Sequence, residues 1–260
     1  MSGIFKYVSY SKIADRLDIK SGDIILVGSD IFKLMFNAKK HGEIFDADKF
    51  IDSFTKKLGN GGTLLFPAFN WGFCSGKRFD IRNTPSQTGY LSNVALKKND
   101  FIRTGHPIYS FAVWGKHSDS LRKLENVSGW GADSVFAFLH ANKAKMLMIG
   151  LDYHSCFTFV HYVEEYEKVK VRYYKKFTGE YVDKNGISSI RTYLMFVRDI
   201  DNGVENEVNP MGKILEEKGI SVEKNINGVG FKLVDLYNAF IEIQRDIREN
   251  KARNIYKVEL

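Results

Sequence analysis

Long apolar runs, paired cysteines and low-complexity stretches are all missing from this 260-residue chain, which carries only two cysteines. Nothing approaches the ~18 apolar residues of a membrane-spanning helix. The N-terminal MSGIFKYVSYSKIADRL mixes charge with apolar residues where a signal peptide needs a continuous apolar stretch. A cytoplasmic protein with no membrane span is expected. Cys74 and Cys156 stand alone, so no disulfide framework or zinc site is suggested, and both read as packed, reduced thiols. Several catalytic signatures are also absent. The chain has no G-x-S-x-G elbow, no H-E-x-x-H zinc helix, no Walker A loop and no G-x-G-x-x-G fingerprint.

What is present is the composition of a packed protein: 44% apolar and 14% aromatic residues over a length that suits a single domain spanning 1–260. The formal charge of +7 favours anionic partners. Its basic residues are dispersed, and no nucleic-acid-binding motif accompanies them, so phosphorylated small molecules lead and no nucleic-acid partner is expected.

Short apolar runs at Ile24 to Val27, Thr63 to Phe66, Phe111 to Trp114 and Lys145 to Ile149 predict buried strands. Helical spacing separates them over Ala47 to Leu58, Tyr90 to Lys97 and Ser134 to Ala141. This alternation predicts an α/β fold with a largely buried sheet flanked by helices. Asp183-Lys184-Asn185-Gly186 is a hairpin signal before a long strand from Ile187 to Ile200. The last segment, Lys232 to about Arg248, reads as a helix opened by Gly228-Val229-Gly230.

The histidines near strand ends are what chemistry remains. His161 falls in a helix after Gly150, with Glu164 at i+3. An imidazole suits general base work near neutral pH. Spacing alone, however, favours a packed histidine satisfied by a backbone carbonyl. His106, in a glycine-flanked turn before Pro107, carries the same two readings. His41, His117 and His140 read as solvated, and His154 as a loop residue.

Seven blocks, in order, resemble the aminoglycoside 3-N-acetyltransferase family: GDIILVGSD (22–30), GGTLLFPAFNW (61–71), FDIRNTPSQTGYLSN (79–93), RTGHPIYSFAVWG (103–115), GADSVFAFL (131–139), MLMIGLDYHSCFTFVHYVE (146–164) and VRD (197–199). The resemblance implies that family's fold, with a mixed central sheet, and acetyl-CoA-dependent transfer to a primary amine without a metal. Thr158-Phe159-Val160-His161 matches the family's T-x-x-H block, which makes His161 the implied base. Asp199 of VRD is the implied acidic partner, while Val197 stands where some members carry a second acid. A substrate ammonium must lose its proton before it can attack a thioester, so a neutral base oriented by a carboxylate is the pair this chemistry needs.

Ser29, Ile31, Lys33, Thr84, Ser86 and Ser134 are the expected contacts for acetyl-CoA, with helix capping the alternative for Thr84 and Ser134. The family's His-Ser-Ser is here Gly28-Ser29-Asp30, so only Ser29 matches. His106, Trp71, Asp152 and Glu164 are the expected acceptor contacts, Glu164 facing solvent or substrate rather than acting as the base. The basic balance points to a small-molecule amino-sugar acceptor that is itself anionic, most simply a nucleotide-activated deoxyamino sugar for a surface polysaccharide. Aminoglycoside 3-N-acetylation, giving antibiotic resistance, is the alternative within the class, and a non-catalytic CoA or nucleotide-sugar binding protein the alternative outside it. A homodimer is left open.

Overall fold

The computed structural model describes residues 7–257. A short 3-10 turn leads into α1 (Ile13–Arg16), then β1 (Ile24–Ser29), α2 (Phe32–Lys40), α3 (Ala47–Leu58), β2 (Thr63–Pro67) and β3 (Phe79–Asp80). There follow α4 (Tyr90–Ala95), β4 (Ile102–Arg103), β5 (Phe111–Gly115), α5 (Ser118–Arg122), α6 (Val135–Ala141) and β6 (Lys145–Ile149). The second half comprises α7 (Tyr153–Cys156), α8 (Phe159–Glu167), β7 (Arg172–Val182), β8 (Ser188–Arg198), α9 (Asn209–Glu217), β9 (Ser221–Ile226), β10 (Val229–Asp235) and α10 (Leu236–Glu249).

Seven strands form one sheet in the order β4-β5-β2-β1-β6-β10-β9. β1 pairs in parallel with β2 and β6, and the outer pairings are antiparallel, so the sheet is mixed. Its central strands alternate between two cores. Leu26, Leu65, Val113, Met146 and Met148 face one, while Ile25, Val27, Leu64, Leu147 and Ile149 face the other. A strand buried on both faces has no polar alternation to show, which is why these segments read as unbroken apolar runs.

Helices α1 to α4 cover one face, through residues such as Ile13, Leu34, Phe54 and Leu91. α6, α8, α9 and α10 cover the other, through Phe136, Val163, Leu215 and Ile243. Gly150, at φ +66° just after β6, lets the chain turn under the end of β1, where a Cβ would lie 2.7 Å from the carbonyl oxygen of Asp30. That turn launches α7 and α8.

β7 and β8 pair along their whole length, from Arg172 opposite Arg198 to Val182 opposite Ser188, and β3 adds in parallel at the Val182 end. The Asp183 carboxylate accepts N–H bonds from Asn185 and Ile187 at 2.8 and 2.9 Å, closing the expected hairpin turn. At the chain's other end, Gly228-Val229-Gly230 belongs to the β9–β10 hairpin, and the helix starts only at Leu236. The strand pairing of Leu233 and Val234 with β6 overrides the helical spacing read across them. Among the described residues no helix is long and apolar enough to cross a membrane.

Candidate active site

His161 lies in the first turn of α8, one turn before Glu164, so both side chains leave the same side of the helix. Nδ1 of His161 is 2.6 Å from Oε2 of Glu164. The Glu164 side chain is fully buried, while that of His161 keeps 24% of its surface exposed. A carboxylate enclosed in this way needs several donors. Arg172, the first residue of β7, supplies the counter-charge as an ion pair, with Nε 2.9 Å from Oε2, and Asn206 Nδ2 donates to the other oxygen at 3.4 Å. The hydroxyl of Tyr256 also hydrogen-bonds Glu164.

Arg172 is itself almost completely enclosed and is held from every side. Nε donates to the Tyr256 hydroxyl at 2.9 Å, Nη1 to the Phe196 carbonyl at 3.0 Å, and Nη2 to Asn206 Oδ1 at 3.1 Å. Asn206 and Tyr256 are brought together by an antiparallel bridge. Nη2 also lies 3.1 Å from His161 Nδ1. That nitrogen cannot donate to Glu164 and accept from Arg172 at once. The shorter, charge-assisted contact to the carboxylate places the proton on Nδ1 and leaves the Nε2 lone pair free.

Burial and the Arg172 charge hold the His161 imidazole below its ordinary pKa, against an opposing pull from Glu164. Burial acts to raise Glu164, but Arg172 and His161 outweigh it and keep the carboxyl below its ordinary value. Near neutral pH the pair is therefore an ionised carboxylate and a neutral imidazole, which is the state a base needs before it takes a proton.

Aromatic rings wall the site. Trp130 meets the His161 ring edge-on at 5.0 Å, Tyr109 packs on Trp130 at 4.6 Å, and Phe69 on Tyr109 at 4.9 Å. Trp71, 40% exposed, touches Phe69 and hydrogen-bonds Tyr109, so it stands at the outer end of this aromatic row.

Of the expected catalytic pair, only His161 is here. Asp199 sits in the turn after β8, with Oδ2 2.7 Å from Asn202 Nδ2 and Oδ1 3.3 Å from the Asn202 N–H. Asp199 thus closes a turn, and the carboxylate on His161 is Glu164, which is enclosed and does not face solvent. His106 is a packed residue: Nδ1 accepts from the N–H groups of Ile108 and Tyr109 at 3.2 and 3.0 Å, and Nε2 donates to the Val127 carbonyl at 3.3 Å. Burial lowers its pKa to about 3. Asp152 caps α7, accepting from the Ser155 N–H at 2.8 Å, and also binds Asn209 at 3.1 Å.

The hydroxyl groups expected at the cofactor are mostly committed inside the protein. Thr84 accepts from the Asp80 N–H at 2.8 Å, Ser86 bonds Thr88, and Ser134 caps α6. Ile31, the residue before α2, is buried in the hydrophobic core. Ser29, half-buried at the end of β1, and Lys33, exposed on α2, are the two left unengaged by the bonds described. His140, expected in solvent, stacks on Phe240 with centroids 3.9 Å apart. Arg172, Asn206, Tyr256 and Trp130 were not anticipated. The Glu164 spacing was visible, but no local pattern connects it to partners on β7 and the C-terminal segment.

The mixed α/β sheet thus carries a helical His-x-x-Glu pair locked by a buried arginine, an arrangement suited to general base chemistry. Residues 40–245 match the family model for aminoglycoside 3-N-acetyltransferase, and the chain belongs to that family. Its membership places it among acetyl-CoA-dependent acetyltransferases. A curated relative, the SPbeta prophage-derived aminoglycoside N(3')-acetyltransferase-like protein YokD of Bacillus subtilis (strain 168), is 31% identical over 96 residues. That match covers 35% of this chain and 35% of the relative, so it spans about a third of the relative's length. Among solved structures, aminoglycoside acetyltransferase AAC(3)-Xa superimposes with a TM-score of 0.78 at 18% identity, covering 93% of each chain. AAC-IIIb in binary complex with CoASH gives 0.76 at 18%, covering 94% of this chain and 98% of the other. The YokD crystal structure gives 0.76 at 19%, covering 96% and 97%.

Proposed function

We propose that the chain transfers the acetyl group of acetyl-CoA to a primary amine of an amino sugar, with Nε2 of His161 as general base. The observation that carries this reading is the 2.6 Å contact between His161 Nδ1 and the buried Glu164 carboxylate, which leaves Nε2 unprotonated. Nε2 takes a proton from the substrate ammonium, and the freed amine attacks the thioester carbonyl carbon. A C–N bond forms, the C–S bond breaks, the departing thiolate receives the proton held by the imidazolium, and the second proton that the nitrogen sheds in becoming an amide passes to the freed Nε2 and on to solvent. The Arg172 charge next to the ring favours return of the proton, and Glu164 holds the ring in place through both steps.

Two acceptor readings have support. Family membership favours an aminoglycoside. The formal charge of +7 favours an anionic amino sugar such as a nucleotide-activated one, since a polycation would be repelled on approach. Thiol release from acetyl-CoA, measured against a panel of aminoglycosides and nucleotide-linked amino sugars, discriminates them. His161→Ala with intact folding should abolish release for whichever amine is accepted, and unchanged turnover would remove His161 from the mechanism.

A further inference from the structure

A cavity of about 1100 Å³ opens between the β7–β8 ribbon and the edge of the main sheet at β4 and α5. Its floor is partly apolar, with Ile102, Val127, Tyr181 and Tyr193, and its rim carries Arg122, Lys123, Lys184 and Arg191. Two further cations in the lining have other duties. Arg82 is paired with Asp80 at 2.8 Å, and Arg103 spends its guanidinium on Ser110, Ala68 and Thr84. The acids there are also unequal. Asp183 is engaged by the hairpin turn, and Asp119 lies 3.8 Å from Arg122. The lining still holds more cations than the three carboxylates of Asp119, Glu125 and Asp183 offset, Lys123 and Lys184 among them, and Arg191, whose Nε donates to Ser189 at 3.0 Å, is held over the Tyr181 ring at 4.1 Å.

The cavity adjoins the His161 site through one stretch of chain. Val127 lines the cavity, Trp130 packs on His161, and Ser128 between them bridges to Leu194 of β8. Val127 and Trp130 are three residues apart in a bend and turn of the chain, so the cavity wall and the wall of the His161 site are parts of one segment. Ser29 and Lys33, the two expected cofactor contacts left unengaged, are not in its lining. His106, expected among the acceptor contacts, does line it.

From this charge, shape and placement we infer that the cavity is a subsite for the phosphoryl group of a phosphorylated amino-sugar acceptor. Lys123, Lys184 and Arg191 would take the phosphate oxygens, and Tyr181 and Tyr193 would form the floor beneath. The inference rests on the amino-sugar reading above and names the part of the acceptor that distinguishes it from a polycation.

The test is binding of inorganic pyrophosphate by calorimetry, with CoA present at saturation so that the cofactor's own phosphate contacts are filled. The wild-type chain should bind it saturably in the millimolar range or tighter. The Lys123→Glu/Lys184→Glu double variant, altered at two exposed positions, should bind at least about tenfold more weakly, with a shallower dependence on salt. No binding by the wild type, or equal binding by the double variant, would overturn the subsite. A raised KM for acetyl-CoA in the double variant would also overturn it, by giving the cavity to the donor. His161→Ala should keep wild-type pyrophosphate binding whatever it does to turnover, so failure of the catalytic reading and failure of the subsite are separable.

Discussion

Glu164 reaches His161 from one helical turn away, at 2.6 Å, and does so with its carboxylate entirely shielded from water. Glu164→Gln preserves the shape but removes the charge that orients Nδ1–H and supports the imidazolium. It should lower kcat on the order of 100-fold. It also leaves Arg172 without its buried counter-charge, at a cost of roughly 3 kcal/mol. Steady-state kinetics and urea unfolding measure the two effects separately.

Asp199 provides the contrasting case. Its carboxylate belongs to the Asn202 turn, so Asp199→Asn should leave kcat within about twofold of wild type, as for substitutions outside a buried network. A loss comparable to that of Glu164→Gln would show that Asp199 joins the dyad during turnover.

The Arg172 charge is the second cause, after burial, of the lowered His161 pKa. Removing it raises the folded-state pKa, so the base stays protonated to higher pH. In Arg172→Gln the acid limb of the kcat profile should move to higher pH, while in the wild type it lies below the ordinary imidazole range. A pH–rate series on both proteins, with circular dichroism to verify folding, checks the direction.

His106 makes a separate prediction about stability. Its folded pKa of about 3 lies below the ordinary 6.5, so the unfolded chain binds a proton that the native state refuses. The contribution is fully present above pH 6.5 and is lost as pH falls from there toward 3. His106→Asn cannot ionise, and should flatten the acid-side slope of stability by up to about 1.4 kcal/mol per pH unit. Chemical denaturation between these limits measures it.

What the sequence revealed followed burial. β1, β2, β5 and β6 were legible because strands covered on both faces are apolar throughout. β7 was not, because RYYKKFTGEYV is solvent-exposed along most of its middle and gets its strand structure from β8. β9, SVEKNI, is an edge strand with four exposed residues and carries no apolar signal of its own. At the site, His161 was singled out only by the family blocks. Asp199 was implied as the acidic partner by the VRD block, yet its side chain is satisfied three residues away by Asn202. Arg172 and Tyr256 meet from positions 84 residues apart, and no periodicity encodes such a pair.

β1 has no side chain to spare for solvent until Ser29, because its successive residues are divided between the two cores. An insertion of one residue would send every later side chain of the strand into the wrong core. Length changes can therefore be absorbed only beyond the strand's ends. On that account the segment from Asp30 onward, rather than the strand beneath it, is where this scaffold can take up changes of length.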